Sequence, residues 1–388
     1  MIKLSDYVSK FLVGLKVKTL FLLPGGGCMH LLDSFGAQKE IEKVCCLHEQ
    51  GAVIAADAYS QYTHTIGIAM VTTGPGGTNA ITGVAGSWID SIPLMVISGQ
   101  AKRQDMIGDS GLRQRGIQEV DIISLVKPIT KYAVSIMEPE KVRYHLEKAF
   151  FLAKHGRPGP VWLDIPLDVQ GAMIDESQLE GFVPDDELQD QSLNLSGNIR
   201  QIVALLNKAE RPVIMVGNGV RLAEATSEFY ALIESFNIPV LTTWKSIDLL
   251  SEDHPLFFGR PGSIGQRYAN FIQQNSDFFI SIGARQDLAQ IGYYYENFAR
   301  GATKVMVDID QAELDKMDKM SNLIKIKADA KDFLNVLNAS KGLIQKQPRK
   351  SWFDQCRQWK QKYPVILPEY ANGKEFVNTY VLVDLLSE

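Results

Sequence analysis

The chain has 388 residues, of which 45% are hydrophobic and 22% are charged, and its formal net charge is −5. This balance is typical of a globular protein and excludes a disordered or fibrous chain, and the length predicts two domains of ordinary size. The chain has no long lysine or arginine block and no apolar run long enough to cross a bilayer. We therefore expect neither nucleic acid nor a membrane as a partner. We also expect a cytoplasmic protein, because the N-terminus has no apolar signal core.

Apolar β-type runs alternate with helical stretches through the first part of the chain. The runs are KTLFLLPGG, EKVCCL, TIGIAMVTTG and IPLMVISG, and helices are predicted near residues 29–38, from Glu49 and from Thr78. Short buried strands separated by helices indicate crossover connections and a mostly parallel sheet. The sequence predicts an open α/β domain over residues 1–172, followed by a polar linker over residues 173–197.

The same alternation resumes after the linker with RPVIMVGNGV, a helix over residues 223–235, IPVLTTW, SDFFISIGAR and TKVMVDID. These segments predict a second open α/β domain, Rossmann-like, over residues 198–342. Its G-x-G turn at residues 217–219 leaves a plain strand-to-helix turn and a dinucleotide contact both open. Residues 343–388 predict a connector and the start of a further domain, because the chain stops on an apolar helix with no evident packing partner.

A glycine-rich run, GPGG at residues 74–77, follows the strand TIGIAMVTTG. Glycine lets the backbone approach a ligand closely, and the following helix, which Thr78 or Asn79 is expected to cap, offers free N–H groups. The run fits neither the dinucleotide G-x-G-x-x-G pattern nor the phosphate-binding loop. From this segment alone, a ligand contact and a structural turn stay equally open.

An ionisable pair, His48-Glu49, begins a helix that is otherwise small and apolar, within CCLHEQGAVIAADAYSQYT at residues 45–63. A carboxylate in the first turn interacts favourably with the helix dipole, typically by ~0.3–1 kcal/mol, and many such residues do nothing more. A catalytic carboxyl is the alternative. We interpret His48 as a helix-start residue, and the segment by itself does not choose between the two roles of Glu49.

Six segments in this order resemble the thiamine-diphosphate-dependent enzymes of the acetolactate synthase group. They are LPGGG (23–27), HEQGAVIAADAYS (48–60), TTGPGGTNAITGVAGSWIDSIPLMVISGQ (72–100), IQEVDIISLVKPITKYA (117–133), AFFLAKHGRPGPVWLDIP (149–166) and VDIDQAEL (307–314). The resemblance covers the whole chain. It implies decarboxylation or carboligation of a small-molecule 2-oxo acid with thiamine diphosphate as cofactor, the work of a transferase or lyase.

The resemblance implies roles for individual residues. Glu49 occupies the place of the family glutamate that hydrogen-bonds the pyrimidine N1′ of the cofactor and promotes its imino tautomer, so it is a catalytic candidate. Gln118 matches the family glutamine that leans into the substrate space, and it is the second catalytic candidate. The cofactor-binding candidates are Gly25 and Gly26 facing the thiazolium, Pro75, Gly76 and Asn79 against the pyrimidine, Arg157 at a flavin contact and Arg285 at a nucleotide-facing site.

Two departures from the family pattern leave the product and the flavin open. Leu167 stands between Pro166 and Asp168 where acetolactate synthases have P-K-D, and Ile117 stands where they have phenylalanine before the glutamine. The resemblance therefore implies thiamine diphosphate, and it leaves both FAD and the identity of the 2-oxo acid open.

The third domain of the family, which holds Mg²⁺ and the diphosphate through G-D-G and a later N-N, has no counterpart in this sequence. The nearest run, GDS at residues 108–110, falls in the first domain, and the four cysteines form no C-x-x-C pattern. We therefore expect buried free thiols and no metal site in this chain.

These features predict an incomplete chain that is inactive alone. It would work as a homodimer or other homo-oligomer, or with a complementary C-terminal polypeptide that binds the diphosphate. A non-catalytic assembly or regulatory subunit is the alternative hypothesis. An oxidoreductase is a third, and it is disfavoured because no segment combines a full G-x-G-x-x-G with an acidic ribose-binding residue.

Overall fold

The computed structural model describes residues 1–185, 195–345, 347–372 and 376–387. The chain divides into two compact units, Met1–Asp190 and Gln191–Glu388. The middle of the expected linker, residues 186–194, lies outside the described residues. Within the described ranges, no helix combines the length and the apolar character that crossing a bilayer requires.

The first unit contains a six-stranded sheet with the order β3-β2-β4-β5-β7-β6, and its strand pairings are parallel. A separate antiparallel pair joins β1 to β8, with Ile2 opposite Ile174. This pair lies partly inside the expected linker, so the first unit uses residues that the sequence assigns to the connection. The strands are β1 (Ile2–Lys3), β2 (Thr19–Leu22), β3 (Glu42–Cys45), β4 (Gly67–Val71), β5 (Leu94–Gln100), β6 (Tyr132–Ser135), β7 (Pro160–Pro166) and β8 (Met173–Ile174).

Helices connect these strands. The helix expected from Thr78 begins earlier, at Pro75, and its N-cap is Gly74 without a side-chain hydrogen bond. Proline suits the first helical position because its fixed φ and missing N–H cost nothing there, so the expectation of a Thr78 or Asn79 cap is wrong. The helices are α1 (Leu4–Gly14), α2 (Met29–Ala37), α3 (Glu49–Thr63), α4 (Pro75–Asp90), α5 (Ile122–Val126), α6 (Val142–Lys154) and α7 (Leu167–Gln170).

Burial explains why this sheet is parallel. Every residue of β4, β5 and β7 is buried, and these strands are mostly apolar along their length rather than alternating between apolar and polar residues. Along β4, Ile68 and Met70 belong to one apolar cluster, and Ala69 and Val71 belong to another. Alternate residues of a strand face opposite sides of the sheet, so apolar packing covers both sides of the first sheet.

The second unit contains a five-stranded parallel sheet with the order β10-β9-β11-β12-β13 and one apolar core. Its strands are β9 (Pro212–Val216), β10 (Val240–Thr242), β11 (Phe278–Ile282), β12 (Thr303–Asp308) and β13 (Leu323–Lys327). Its helices are α8 (Ser196–Lys208), α9 (Gly219–Leu222), α10 (Thr226–Phe236), α11 (Arg267–Asn275), α12 (Leu288–Ile291), α13 (Gln311–Asp315), α14 (Ala330–Ala339), α15 (Lys350–Lys362) and α16 (Thr379–Ser387). The prediction of two open α/β folds with parallel sheets is confirmed.

Two local expectations need correction. The helix predicted over residues 223–235 occupies Thr226–Phe236. The four cysteines are free, but Cys45 is exposed and only Cys28 and Cys356 are buried. Cys45 is exposed because it ends β3, the strand at one end of the six-stranded order.

Candidate active site

The turns that follow β2, β3 and β4 lie at one edge of the first sheet, because carboxyl ends of parallel strands point the same way. β2 lies between β3 and β4 in the sheet. The connection from β2 leads to β3 on one side, and the connection from β3 then returns to β4 on the other side of β2. Such a reversal opens a crevice outside the carboxyl ends, where open α/β sheets bind ligands. Gly25 and Gly26 follow β2, Glu49 follows β3, and Pro75 and Gly76 follow β4. The fold therefore brings these five candidates to one place.

Glu49 is the first residue of α3, and a local cap fixes this helix start. His48 precedes it in extended conformation, with φ −155° and ψ 141°, and the His48 Nδ1 accepts a hydrogen bond from Gln50 N at 3.1 Å. The imidazole thus satisfies one of the N–H groups that a first turn leaves free. His48 is the N-cap of α3.

The Glu49 carboxyl is buried against the first turn of α4. The residue is 7% exposed, and Asn79 Nδ2 donates to Glu49 Oε2 at 3.0 Å. The second oxygen, Oε1, faces Gly76, where an added Cβ would lie 3.4 Å away from it. Asn79 itself is exposed, so a ligand can reach this pair from the crevice.

Gly25 and Gly76 pack against the side chain of Thr72. A Cβ at Gly25 would overlap the Thr72 side chain, and a Cβ at Gly76 would lie 2.7 Å from Thr72 Cγ2. Thr72 Oγ1 also accepts a hydrogen bond from Gly27 N at 3.1 Å. A Cβ at Gly26 would meet no atom within 4 Å. Gly25 therefore has no space for a side chain, whereas the space next to Gly26 is open.

Gln118 reaches the same edge from a different part of the chain. Its φ is +56°, and its carbonyl oxygen lies so close to Gly74, whose φ is +61°, that a Cβ there would overlap it. At residue 74, only glycine adopts the positive φ without strain and leaves space for the Gln118 carbonyl oxygen. The Gln118 side chain is exposed, and the neighbouring Ile117 is 88% exposed. The structure thus places Gln118 at the N-terminus of α4, the helix that carries Pro75, Gly76 and Asn79.

Arg157 lies away from this crevice. It precedes β7 and so lies at the amino edge of the sheet, opposite the edge that carries Glu49. Its Nε donates to Ser91 Oγ at 2.8 Å, and its carbonyl oxygen accepts from Lys131 Nζ at 2.7 Å. The fold does not bring Arg157 to the other candidates of the first unit.

Arg285 belongs to the second unit, in the turn after β11. The backbone there has positive φ at Gly283, Arg285 and Gln286, at 57°, 54° and 56°. Two successive non-glycine residues in this region are uncommon, and such strain is often found at functional loops. The Arg285 guanidinium donates to Asp287 Oδ2 at 2.8 Å. An open cleft of about 490 Å³ is lined by Arg285, Asp287, Leu288, Ala289, Tyr295, Glu313 and Lys316.

Two family models match the chain. The thiamine pyrophosphate enzyme, N-terminal TPP binding domain, matches residues 2–125, and the thiamine pyrophosphate enzyme, central domain, matches residues 199–337. The chain belongs to the thiamine pyrophosphate enzyme family. The resemblance inferred from the six sequence segments is thereby confirmed.

Relatives of this chain include acetolactate synthase large subunits. The chain is 32% identical to the acetolactate synthase large subunit of Cyanidium caldarium, over 92% of this chain and 61% of the relative. It is 33% identical to the acetolactate synthase isozyme 1 large subunit of Escherichia coli K12, over 94% and 62%. It is 34% identical to the acetolactate synthase large subunit of Corynebacterium glutamicum, over 90% and 55%. The chain therefore spans 55% to 62% of the length of these relatives.

Behind the crevice of this thiamine pyrophosphate enzyme chain lies a carboxyl group that the sequence did not single out. Asp164, near the end of β7, is 1% exposed. It accepts hydrogen bonds from Ser98 Oγ at 2.5 Å, Ser135 Oγ at 2.8 Å and Gln100 Nε2 at 3.2 Å. Burial raises the pKa of Asp164 to about 6, although these hydrogen bonds act in the opposite direction. The one signal in the sequence was a charged residue inside the apolar run VWLDIP.

Proposed function

We propose that the first unit supplies the pyrimidine-binding half of a thiamine diphosphate site that acts on a 2-oxo acid, by decarboxylation or carboligation. The observation that carries the proposal is the buried Glu49 carboxyl beside Asn79 and Gly76, at the strand-order reversal of a parallel sheet. Relatives named acetolactate synthase support the same reaction class. Because the chain spans only part of their length, the activity of the whole protein belongs to the proposal.

The residues of the crevice fit an aminopyrimidine. Glu49 Oε1 lies next to Gly76, whose missing side chain would leave space for an aromatic ring, and the backbone at Gly26 is open. The Asn79 amide orients the carboxyl through its bond to Oε2. When bound, thiamine diphosphate supplies a carbon nucleophile and an electron sink for decarboxylation. Glu49 would hold the proton shared with the pyrimidine N1′, which is the task of a general acid in a water-poor pocket.

Gln118 is the proposed contact to the substrate. Its backbone rests on Gly74, and its side chain is exposed beside Ile117. An amide so placed can donate to the carboxylate or carbonyl oxygen of an entering 2-oxo acid. Ile117, where the acetolactate synthases have phenylalanine, would leave a wider space for the second substrate.

The diphosphate and Mg²⁺ need ligands from elsewhere. Among the described residues, no group of three or more His, Cys, Asp or Glu side chains is arranged to hold a metal ion. Mg²⁺ in such sites takes hard oxygen ligands. We propose that a diphosphate-binding domain supplies them, from a continuation of the chain or a complementary polypeptide, within a homodimer or larger homo-oligomer in the cytoplasm.

The domain limits are proposed as the sequence predicts them: a pyrimidine-binding domain over residues 1–172, a linker over 173–197, a central domain over 198–342 and a connector over 343–388.

FAD binding is a separate proposal. It rests on the strained turn and the cleft at Arg285, and on the family position of Arg157. A flavin absorbance spectrum of the purified protein that disappears in an Arg285→Ala variant would support it, and a flavin-free protein would contradict it.

A non-catalytic assembly or regulatory subunit is the second candidate function. The observation that favours it is the exposed small-residue side of α4, where a Cβ at Gly86 would meet no atom within 4 Å. A helix that exposes small residues allows close helix packing. The two hypotheses differ at Glu49, whose carboxyl an assembly role does not need.

Reconstitution tests the proposed function. The chain is combined with the diphosphate-binding domain of an acetolactate synthase, covalently or as a separate polypeptide, and CO₂ release from pyruvate is measured with thiamine diphosphate and Mg²⁺. We expect cofactor-dependent decarboxylation that neither polypeptide shows alone. A complex that forms but releases no CO₂ from pyruvate or other 2-oxo acids would contradict the proposal.

A further inference from the structure

The buried carboxyl of Asp164 belongs to a polar network inside an otherwise apolar sheet. In the strand register, Asp164 lies directly opposite Ser98 on β5 and Ser135 on β6. The two hydroxyls donate to opposite oxygens of the carboxyl, Ser98 to Oδ1 and Ser135 to Oδ2. A buried carboxyl costs free energy unless its oxygens are bonded. The network is therefore fully connected, and such networks specify one arrangement of the groups around them.

One member of the network leads out to the crevice. The Gln100 Nε2 donates to Asp164 Oδ2 at 3.2 Å and also to the backbone oxygen of Val120 at 3.1 Å. The Gln100 Oε1 accepts from Ala101 N at 3.0 Å. The amide orientation of Gln100 is therefore fixed from both ends, and Asp164 is one of the groups that keep Nε2 turned towards Val120.

Val120 is part of the segment that carries Gln118. The segment bends back on itself, because Glu119 accepts from Gly116 N at 2.9 Å and Ile107 N at 2.5 Å. The Gln118 carbonyl oxygen lies against Gly74, the N-cap residue of α4. Glu119 and Gln100 thus hold the two sides of one short, strained segment whose φ at Gln118 is +56°.

A second branch of the network reaches α4 itself. The Trp162 Nε1 donates to Ser98 Oγ at 2.8 Å, which fixes the hydroxyl proton of Ser98 on the Asp164 side. The Trp162 ring lies below the first turn of α4, where a Cβ at Gly77 would lie 3.7 Å from Trp162 Cζ2. Asp164 therefore supports both elements that meet at Gly74, the helix that bears Asn79 and the segment that bears Gln118.

We propose that Asp164 is a positioning residue that holds the Gln118 segment against the start of α4 through Gln100. Its carboxyl touches neither the crevice nor a ligand, so its effect is on the geometry of Gln118. The position of the Gln118 segment can be tested in the chain alone, without enzymatic activity. Its effect on substrate binding rests on the proposed function of the crevice. The negative charge of Asp121, at the end of the same segment, also raises the pKa of Asp164.

Amide hydrogen exchange of the chain tests the structural part. An Asp164→Ala variant removes the acceptor, and Gln100→Met removes the bridge while keeping the side-chain length. Losing a hydrogen bond to a charged group should speed exchange in residues 117–122 by about tenfold in each variant. Ser135→Ala, the matched control, removes one donor to the same oxygen and should change exchange there by less than about twofold. Asp164→Asn, which keeps one acceptor oxygen, should largely restore the wild-type rate.

Hydrogen exchange and kinetics each have a result that would contradict the positioning role of Asp164. Unchanged exchange in residues 117–122 after Asp164→Ala or Gln100→Met would overturn the proposal, and so would an equal effect of Ser135→Ala. If Asp164→Ala does not fold, Gln100→Met decides. In the reconstituted enzyme, Gln100→Met should raise the KM for pyruvate about tenfold and leave thiamine diphosphate affinity within about twofold. Equal losses in pyruvate KM and in thiamine diphosphate affinity would indicate general damage to the fold and contradict the positioning role of Asp164. A reconstituted wild type without activity would contradict the proposed function, but it would not affect the hydrogen-exchange result.

Discussion

Glu49→Gln separates the structural and catalytic roles of this residue. The amide keeps the size of the side chain, and its oxygen can still accept from Asn79 Nδ2, the bond now seen at 3.0 Å. What it loses is the charge at the N-terminus of α3, worth ~0.3–1 kcal/mol, and the ionised acceptor, worth about 1 kcal/mol over a neutral one. Relief of a buried charge offsets part of this, so the free energy of unfolding should change by no more than about 1 kcal/mol.

The catalytic role predicts a far larger effect on the reaction. Removing a positioned proton donor lowers rates by about 10² to 10⁴, which corresponds to about 3–5 kcal/mol in the activation barrier. The two magnitudes differ enough to decide between the roles. The assay is CO₂ release from pyruvate in the reconstituted enzyme, beside urea unfolding of the chain for stability.

Glu42→Gln is the matched control, because Glu42 is an exposed glutamate at the start of β3, away from the crevice. It should leave both stability and activity unchanged. If Glu49→Gln destabilises the chain by several kcal/mol and costs activity only in proportion, Glu49 is a structural residue. If the variant retains full activity in the reconstituted enzyme, the proposed function of the crevice is refuted.

Three further results are expected. Gly25→Ala should destabilise the chain by about 1–3 kcal/mol, because its Cβ overlaps Thr72; Gly26→Ala, with open space at that position, is the control in the same unfolding measurement. Gly74→Ala should lower thermal stability, because φ is +61° there and Gln118 occupies the Cβ position; an unchanged Tm would contradict this account. The pKa of Asp164 rises from 3.8 unfolded to about 6 folded, so the folded chain binds more protons between these values and this contribution to stability is lost as pH rises through about 6. Compared with Asp164→Asn by urea unfolding, the wild type should gain up to about 3 kcal/mol between pH 7 and pH 4, and a difference that does not vary with pH would contradict the burial of this carboxyl.

Some of the candidate site followed from local sequence. The helix start at Glu49, the strand ends before Gly25 and the glycine run at 74–77 are local features, because they depend on short runs of apolar residues and on the backbone freedom of glycine. The sequence placed the start of α4 too late because Thr78 is a strong N-cap candidate. The helix instead begins at Pro75 with Gly74 as its N-cap. Glycine is required at residue 74 because its φ is positive and the Gln118 carbonyl oxygen occupies the place of a side chain.

Other parts of the site depend on contacts between distant segments. Asp164 bonds to Ser98, 66 residues earlier, and no periodicity in the sequence signals such a pair. Arg157 was grouped with the cofactor residues, but the direction of β7 places it at the opposite edge of the sheet. The edge of the sheet at which a residue lies depends on the direction of its strand in the assembled sheet, and the match of Arg157 to a family motif does not contain that direction.

The sequence by itself determined the two parallel α/β units and the family, because continuous apolar strands alternating with helices have few stable packings and six motifs kept their order. It also identified Glu49 as a candidate. The tertiary structure decided that β2 lies between β3 and β4, and hence that Glu49, Gly76 and Asn79 meet at one crevice. It also decided that a buried Asp164 supports Gln118, because hydrogen bonds across a sheet form only after the strands have taken their register.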